Sequence, residues 1–199
     1  MAGHDFSKSE AIKFGWDTTT GNLGLMVVSL VIIVAIGVMP VVASDSWVVM
    51  VVAWVFDIVV GMGIVRMTLR FVDGGKGELV DLFSAIPLIP KYLIASIVVC
   101  IGVSIGFVLL ILPGIYLSVR WYMYPWILVD KEVGPIEALR QSWEMTRGSF
   151  WNLFLLGFLL CLINLLGAMA LLIGLLVTIP MSVVAIGYAY RHLERAATD

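Results

Sequence analysis

The sequence predicts an all-α integral membrane protein with six transmembrane helices, arranged as three parallel-repeat units. Three observations predict this fold class: an apolar composition, six apolar runs close to the length of one membrane span, and a short polar segment that recurs before such runs. Of the 199 residues, 61% are hydrophobic and 13% are charged, whereas soluble domains average about 45–50% apolar and about 25% charged residues. The net charge of −2 argues against a nucleic-acid partner.

Six apolar runs are candidates for membrane spans. A helix that crosses a hydrocarbon core of about 30 Å needs about 20 apolar residues, and it satisfies its own backbone hydrogen bonds. Between the third and fourth runs stands only Pro113-Gly114, which predicts a tight hairpin. The uncharged stretch that contains the last two runs is about twice one span, so we expect it to fold back near residues 167–174. The predicted spans are Leu23–Ala43, Trp47–Arg66, Tyr92–Leu112, Ile115–Val129, Phe150–Gly167 and Leu171–Tyr190.

The positions of the basic residues predict the orientation. Eleven of the twelve Lys and Arg residues lie before the first span, after the sixth, or in the second and fourth connections, and Arg120 is the exception. Cytoplasmic loops of membrane proteins carry an excess of Lys and Arg. We therefore expect a multi-pass protein of the cell (inner) membrane with both termini in the cytoplasm.

A polar segment at the start of the chain recurs in its second half. Glu10–Gly21 aligns with Glu137–Gly148, and nine of the twelve positions are identical or conservative. So close a match between two short polar segments indicates an internal repeat. The identical pairs are Glu10/Glu137, Ala11/Ala138, Trp16/Trp143, Thr19/Thr146 and Gly21/Gly148.

The spacing of the charges predicts a short amphipathic helix for each copy. Charged residues recur three or four positions apart and therefore fall on one stripe of a helix. In the second copy we expect Ile136, Leu139 and Trp143 to form the opposing apolar stripe. Helices of this kind lie in the membrane interface. The charged stripes are Glu10, Lys13 and Asp17 in the first copy and Glu137, Arg140, Glu144 and Arg147 in the second.

Each interfacial helix is followed directly by a predicted transmembrane hairpin. A third, weaker copy begins at Glu78, so the single membrane domain of residues 1–199 divides into units of about 8–66, 76–130 and 134–192. All three units begin on the same side of the membrane. The repeat is therefore expected to be parallel, in contrast to the inverted repeats of many transporters.

Three polar residues inside the predicted spans form a candidate intramembrane site: Asp57, Arg120 and Asn164. Charges at the centre of a membrane helix cost about 2.5–3.5 kcal/mol on insertion scales, so neither Asp57 nor Arg120 is expected to face lipid. Three alternatives stay open: a structural ion pair between them, a functional proton or ligand site, or no pairing. Asn164 is expected to donate a hydrogen bond between helices. Pro125 and Pro180 are expected to kink their spans.

The sequence contains no recognisable catalytic, cofactor or metal motif. Gly74-Gly75-Lys76-Gly77 lacks the spacing and the Ser/Thr of a phosphate-binding P-loop, and the two histidines are not part of an HExxH or Cys/His pattern. We therefore expect no enzymatic activity and no cofactor.

The run LPGIYLSVRWYMYPWILVDKEVGPIEALRQSWEMTRGSFW resembles the shared region of the YciC-like uncharacterised bacterial membrane protein family. It is similar also to the membrane domain of glycerophosphoryl diester phosphodiesterases. The resemblance implies a helical membrane fold, and since 199 residues leave no room for a phosphodiesterase domain, we expect that activity not to carry over. The matching residues are Pro113, Gly114, Arg120, Pro125, Asp130, Ala138, Ser142 and Gly148.

Two functions are compatible with these features. The first is a membrane scaffold, assembly or regulatory module, whose interfacial helices contact membrane lipids, other membrane proteins or a second copy of the chain. The second is a small permease or lipid-handling transporter with a polar site at Asp57 and Arg120.

Overall fold

A computed structural model describes residues 6–43, 46–170 and 172–198, and within these ranges the chain forms helices and no strands. Two short 3-10 turns, Leu79–Phe83 and Ile86–Leu88, lead into the fourth helix. The helices are α1 (Lys8–Gly21), α2 (Leu23–Ala43), α3 (Trp47–Val72), α4 (Ile89–Leu109), α5 (Ile111–Arg120), α6 (Tyr124–Lys131), α7 (Pro135–Met145), α8 (Phe150–Met169) and α9 (Leu175–Thr198).

Three helical stretches are long and apolar enough to cross a membrane: Trp47–Val72, Leu79–Leu109 and Phe150–Met169. A fourth results if α1 and the start of α2, which meet at an angle of 93°, are counted as one broken span. The outer faces of these helices expose many large apolar side chains, such as Ile101 on α4 and Phe158 on α8. Apolar surface this extensive marks a membrane protein. The six-span arrangement stays a prediction.

The turn between α4 and α5 lies earlier than the sequence predicts. Leu110 alone separates the two helices, and Pro113-Gly114 belongs to the first turns of α5. A proline fits there because the N–H groups of the first helical turn have no partner within the helix. The two helices approach closely at glycines, since a Cβ on Gly106 would lie 3.0 Å from the Cα of Gly114.

The two prolines in the predicted spans behave differently. The predicted span Ile115–Val129 is divided between α5 and α6, and Pro125 stands in the first turn of α6. Pro180, by contrast, lies inside α9 without dividing it. The expected fold-back is seen between the end of α8 at Met169 and the start of α9; Leu171, the predicted start of the sixth span, lies outside the described residues.

In the described part of the chain, five helices pack against α9: α1, α2, α3, α7 and α8. α1 approaches α9 closely, since a Cβ on Gly15 would lie 2.6 Å from the carbonyl oxygen of Met181. The turn Leu79–Phe83 packs on α3 in a similar way, since a Cβ on Gly63 would overlap the backbone of Leu82. The remaining polar segment, α7, packs on α6. Each of the three polar segments is thus seated on another helix and does not lie free at the surface.

Candidate functional site

Arg120, at the end of α5, is held by two aromatic residues. Its guanidinium donates hydrogen bonds to the Tyr116 hydroxyl, from Nε at 2.9 Å and from Nη2 at 2.8 Å, and one from Nη1 to the Trp143 carbonyl at 3.3 Å. It also lies 5.1 Å from the ring centre of Tyr116 and 4.9 Å from that of Trp143. Cation–π contacts of this kind stabilise a charge that has left bulk water.

The structure does not bring Asp57 and Arg120 together. No ion pair joins them in the described part of the chain. Asp57 instead faces α2, where a Cβ on Gly37 would lie 3.9 Å from its Oδ2. Its Oδ1 is buried and has no hydrogen-bond partner among the described residues. Of the three alternatives, the geometry therefore favours no pairing.

A serine of α7 satisfies the backbone at the break between α5 and α6. The Ser142 hydroxyl donates to the Arg120 carbonyl at 2.9 Å and accepts the Met123 N–H at 3.2 Å. Thr146 adds a second hydrogen bond to the same carbonyl. Helix breaks are tolerated at membrane depth when neighbouring side chains take over the freed backbone groups. Ser142 and Met123 are both fully buried, so α7 stabilises this break.

Asn164 forms a hydrogen bond between helices, as the sequence predicts. Its amide donates to Ser182 of α9 at 2.8 Å and to the Leu160 carbonyl of its own helix at 2.9 Å. The Asn164 Oδ1 and the Thr178 hydroxyl are buried and have no partner in the described part of the chain. Asn164 is therefore a link between α8 and α9 that retains an unused acceptor, and it lies apart from the Arg120 cluster.

The charged stripes lie mostly on the surface. Glu10, Lys13 and Asp17 of α1 are exposed, as are the last three residues of the α7 stripe, whereas Glu137 is half-buried. Gln141 and Arg140 donate hydrogen bonds to Glu137, and these bonds hold the pKa of that carboxyl below its ordinary value. The last three residues of the α7 stripe are Arg140, Glu144 and Arg147.

The buried face of α7 differs from the apolar stripe expected from the sequence. Leu139 is buried as expected, but Ile136 is 63% exposed, and Trp143 is only half-buried. The fully buried positions carry small or polar side chains, because α7 packs closely on α6 and its hydroxyls serve the helix break. These positions include Ala138, Ser142 and Thr146.

An ion-pair cluster joins α3, α6 and α9 at one end of the bundle. Arg191 binds Asp130 through two hydrogen bonds of 2.6 and 2.8 Å, and it also contacts Asp73 and Glu194. The Tyr190 hydroxyl donates to the same Asp130 carboxylate at 2.8 Å. Burial disfavours the charge of Arg191, but its hydrogen bonds to the three carboxylates more than offset this and raise its pKa.

Further contacts at the same end hold the segment that precedes α4. Arg66 pairs with Glu132 at 2.6 Å and donates to the Ser84 carbonyl at 3.2 Å. Arg70 pairs with the buried carboxylate of Asp81 at 2.7 Å. The basic residues that predict the orientation thus also fasten the bundle.

Sequence reasoning did not find this cluster. Asp130 follows the fourth predicted span and Arg191 follows the sixth, so the expected topology already places both on one side of the membrane. Their opposite charges and their position on the same side of the membrane were the features of the sequence from which this ion pair could have been predicted. Their distance in the chain hides the pairing, since only the packing of α6 and α9 against α3 brings them into contact.

Two cavities of the bundle are relevant to function. One, of about 370 Å³, lies among α2, α3, α4, α6 and α9, has almost entirely apolar walls, and includes Pro125 and Pro180 in its lining. The other, of about 1120 Å³, is an open groove between α1 and α8 with Lys8 and Lys13 at its edge. No group of three or more His, Cys, Asp or Glu residues suited to a metal ion occurs in the described ranges.

Comparison with known proteins gives two matches. A family model described as the membrane domain of glycerophosphoryl diester phosphodiesterase matches residues 80–188, which is more than half of the chain. A UPF0259 membrane protein of Sodalis glossinidius (strain morsitans) is 32% identical over 100 residues. That alignment covers 50% of this chain but only 39% of the relative. No solved structure matches.

Proposed function

The chain belongs to the family of membrane domains of glycerophosphoryl diester phosphodiesterases, and from this premise we propose that it is a membrane scaffold or regulatory module without catalytic activity. The family places the chain in a membrane, as its resemblance and its apolar helices predict. In the membrane, the module presents charged helix faces to partner proteins, and its buried contacts hold these faces in a fixed position.

We propose six spans in the inner membrane, with both termini in the cytoplasm. In this arrangement α2, α3, α4, the broken pair α5–α6, α8 and α9 cross the membrane. The ion-pair cluster supports it, because the ends of α3, α6 and α9 and the start of α4 meet at one end of the bundle. This end carries the basic residues that the positive-inside rule assigns to the cytoplasm.

We also propose that the three units form a closed ring. Each interfacial segment packs on the second span of another unit: α1 on α9, the turn Leu79–Phe83 on α3, and α7 on α6. The two clear copies of the repeat support this, because their equivalent positions are buried in both. These positions are Ala11/Ala138, Gly15/Ser142 and Thr19/Thr146.

The scaffold proposal depends on one observation: α1 and α7 each have one face buried in the bundle and one charged face exposed to the surroundings. One face of each helix is fixed in the bundle by buried small residues, while the charged stripe on the other face is exposed. A helix whose only role was to float in the interface would turn an apolar face toward the lipid. Here the apolar Ile136 and the charged Glu144 are both at the surface, which suits contact with another protein.

Site-specific photocrosslinking in intact cells tests this proposal. A photoreactive amino acid replaces Glu144 or Asp17 on the stripes, or Leu166 of α8, which is 65% exposed on an apolar face. We expect discrete protein adducts from the two stripe positions and lipid adducts from Leu166. A second copy of this chain among the stripe adducts would support the proposal equally. If the stripe positions gave the same adducts as Leu166, the scaffold function would be excluded.

The apolar cavity favours a second candidate, a lipid-handling transporter. The cavity is enclosed by five helices, and its walls include the two proline positions at which helices bend most readily. The unpartnered oxygens of Asp57 and Asn164 add polar groups at membrane depth. Intramembrane polar groups of this kind often mark a substrate or ion path.

Reconstituted proteoliposomes test this second candidate. The measurement is the transbilayer flux of fluorescent phospholipids, compared between the natural protein and the variant Asp57→Asn. A transporter is expected to show a flux that falls in the variant. Flux that equals that of protein-free vesicles, or that is unchanged in Asp57→Asn, counts against transport.

A further inference from the structure

The groove between α1 and α8 has two chemically different ends. At one end lie the first turn of α1 and two lysines; at the other lie apolar side chains of α8 and α9. Its volume of about 1120 Å³ and its open side allow a ligand to enter from the surrounding membrane. The apolar part of its wall consists of Leu159, Ile163 and Met181.

The polar end is suited to an anion. Lys8 and Lys13 line it, and no Asp or Glu is among its described lining residues. Lys8 Nζ donates to Asn152 Oδ1 at 2.8 Å, which fixes the ammonium at the rim while leaving two of its three protons for other acceptors. Ser7 caps α1 through the Glu10 N–H, so the positive end of the helix dipole lies at the same place.

The apolar end continues into the surface that the bundle turns toward lipid. Phe158 and Leu162 of α8, next to the two groove residues of that helix, are 53% and 41% exposed. An acyl chain in the groove could therefore remain in the hydrocarbon layer along its whole length. Trp16, half exposed at the groove, is the kind of side chain that lies at the level of lipid headgroups.

We propose that this groove binds one anionic phospholipid of the membrane. The phosphate contacts Lys8, Lys13 and the first turn of α1, and an acyl chain lies against Leu159 and Ile163. This inference rests on the proposed function, which places α1 at the cytoplasmic interface of the membrane. It adds the class of ligand that α1 binds there. A water-soluble anion would leave the apolar wall unused, which is why a lipid is favoured as the occupant.

Lipid retention by the purified protein provides the test. The full chain is purified into phosphatidylcholine nanodiscs that contain a minor share of phosphatidylglycerol, and bound lipids are measured by native mass spectrometry after release. The variants are Lys13→Gln, which keeps the Lys8–Asn152 hydrogen bond, and Lys8→Gln/Lys13→Gln. The matched control is Lys76→Gln/Arg195→Gln, which removes two exposed positive charges outside the groove and outside the charged stripes.

We expect the preference for phosphatidylglycerol to fall about fivefold for each lysine removed, the usual effect of one basic residue near an anionic headgroup. The control variant should keep its preference. The variant Leu159→Trp, which fills the apolar end, should reduce retention of both lipids. An equal loss in the control, an unchanged preference in the double variant, or displacement of the lipid by inorganic phosphate alone would overturn the proposal.

This outcome is separable from the scaffold proposal. Of the two crosslinking positions, Asp17 lies on α1, which lines the groove, whereas Glu144 lies on α7, outside it. Protein adducts from Glu144 would therefore stand even if no lipid were retained. Conversely, a retained lipid without protein adducts would leave the groove assigned and the scaffold function excluded.

Discussion

Arg191 of α9 and Asp130 of α6 form a bidentate ion pair, with hydrogen bonds of 2.6 and 2.8 Å. Their side chains are only 16% and 17% exposed, so the pair is well shielded from water. Removing one member of such a pair leaves its partner with an unmet hydrogen-bonding requirement. Loss of one member of this pair should therefore destabilise the protein more than loss of one member of an exposed pair.

We predict that Asp130→Asn lowers the free energy of unfolding by about 1.5–3 kcal/mol, the usual range for hydrogen bonds to charged groups. The matched control is Glu132→Gln, two residues away, whose carboxylate is 59% exposed and pairs with Arg66. Exposed pairs contribute about 0–1 kcal/mol. Thermal unfolding in detergent, followed by tryptophan fluorescence, measures both. Equal effects of the two variants would contradict the special role of Asp130.

Gly63 is predicted to be irreplaceable, while its neighbour Gly61 is not. A Cβ at Gly63 would overlap the backbone of Leu82, whereas nothing lies within 4 Å of the Cβ position of Gly61. Overpacking costs about 1–3 kcal/mol, so Gly63→Ala should lower the unfolding temperature and loosen the segment before α4. Gly61→Ala should be neutral or stabilising, since alanine is the better helix former. Protease cleavage between α3 and α4 provides a second measurement, and an intact segment in Gly63→Ala would disprove the close approach.

Ser142→Ala is predicted to destabilise the break between α5 and α6. The Arg120 carbonyl keeps only the 3.2 Å contact of the Thr146 hydroxyl, whose nearer acceptor is the Ser142 carbonyl at 2.8 Å, and the buried Met123 N–H loses its acceptor. An unsatisfied buried donor costs about 1–3 kcal/mol. Ser104→Ala, at an exposed position of α4, is the control and should unfold like the natural protein. Faster amide hydrogen exchange at residues 121–124 is expected only in Ser142→Ala.

A double-mutant cycle is predicted to show no coupling between Asp57 and Arg120. The variants Asp57→Asn and Arg120→Gln should add within about 0.5 kcal/mol, because sites without shared contacts behave independently. Tyr116→Phe removes the hydroxyl that accepts two hydrogen bonds from Arg120, so its cycle with Arg120→Gln should show a coupling above that limit. Coupling between Asp57 and Arg120 instead would restore the ion pair as an alternative.

Cysteine labelling is predicted to establish the topology. Cys100 and Cys161 are exposed on the apolar faces of α4 and α8, so in native membranes an impermeant maleimide should not reach them. In a background without these two cysteines, Ser9→Cys and Ala197→Cys should be labelled in inverted membrane vesicles and not in intact spheroplasts. Labelling of either position from outside would refute cytoplasmic termini.

The sequence predicts best those features that depend on one helix alone, such as the residue at which a helix begins. Apolar length and charge spacing predict where α1, α7 and α8 begin, and Asn164 forms its hydrogen bond between helices as expected. The misplaced hairpin turn has a local cause, since Pro113-Gly114 is as compatible with the first turns of a helix as with a loop.

Side-chain partners across helices were not predictable in the same way. Arg120 is oriented by Tyr116, four residues earlier, and by Trp143 of α7, whereas the sequence offers Asp57 as the only carboxylate within a predicted span. Which groups meet depends on how the helices rotate and pack. Neither charge nor hydropathy encodes that rotation.

The contact between α1 and α9 has a consequence for biosynthesis. A Cβ on Gly15 of α1 would lie 2.6 Å from the Met181 carbonyl oxygen of α9, so the two helices meet across more than 160 residues of chain. When α1 leaves the ribosome, its binding surface has not yet been translated. The helix must therefore wait at the membrane, with its small-residue face uncovered, until α9 is inserted. Completion of the bundle is thus a late, post-insertion event, during which a chaperone or insertase has time to act on α1.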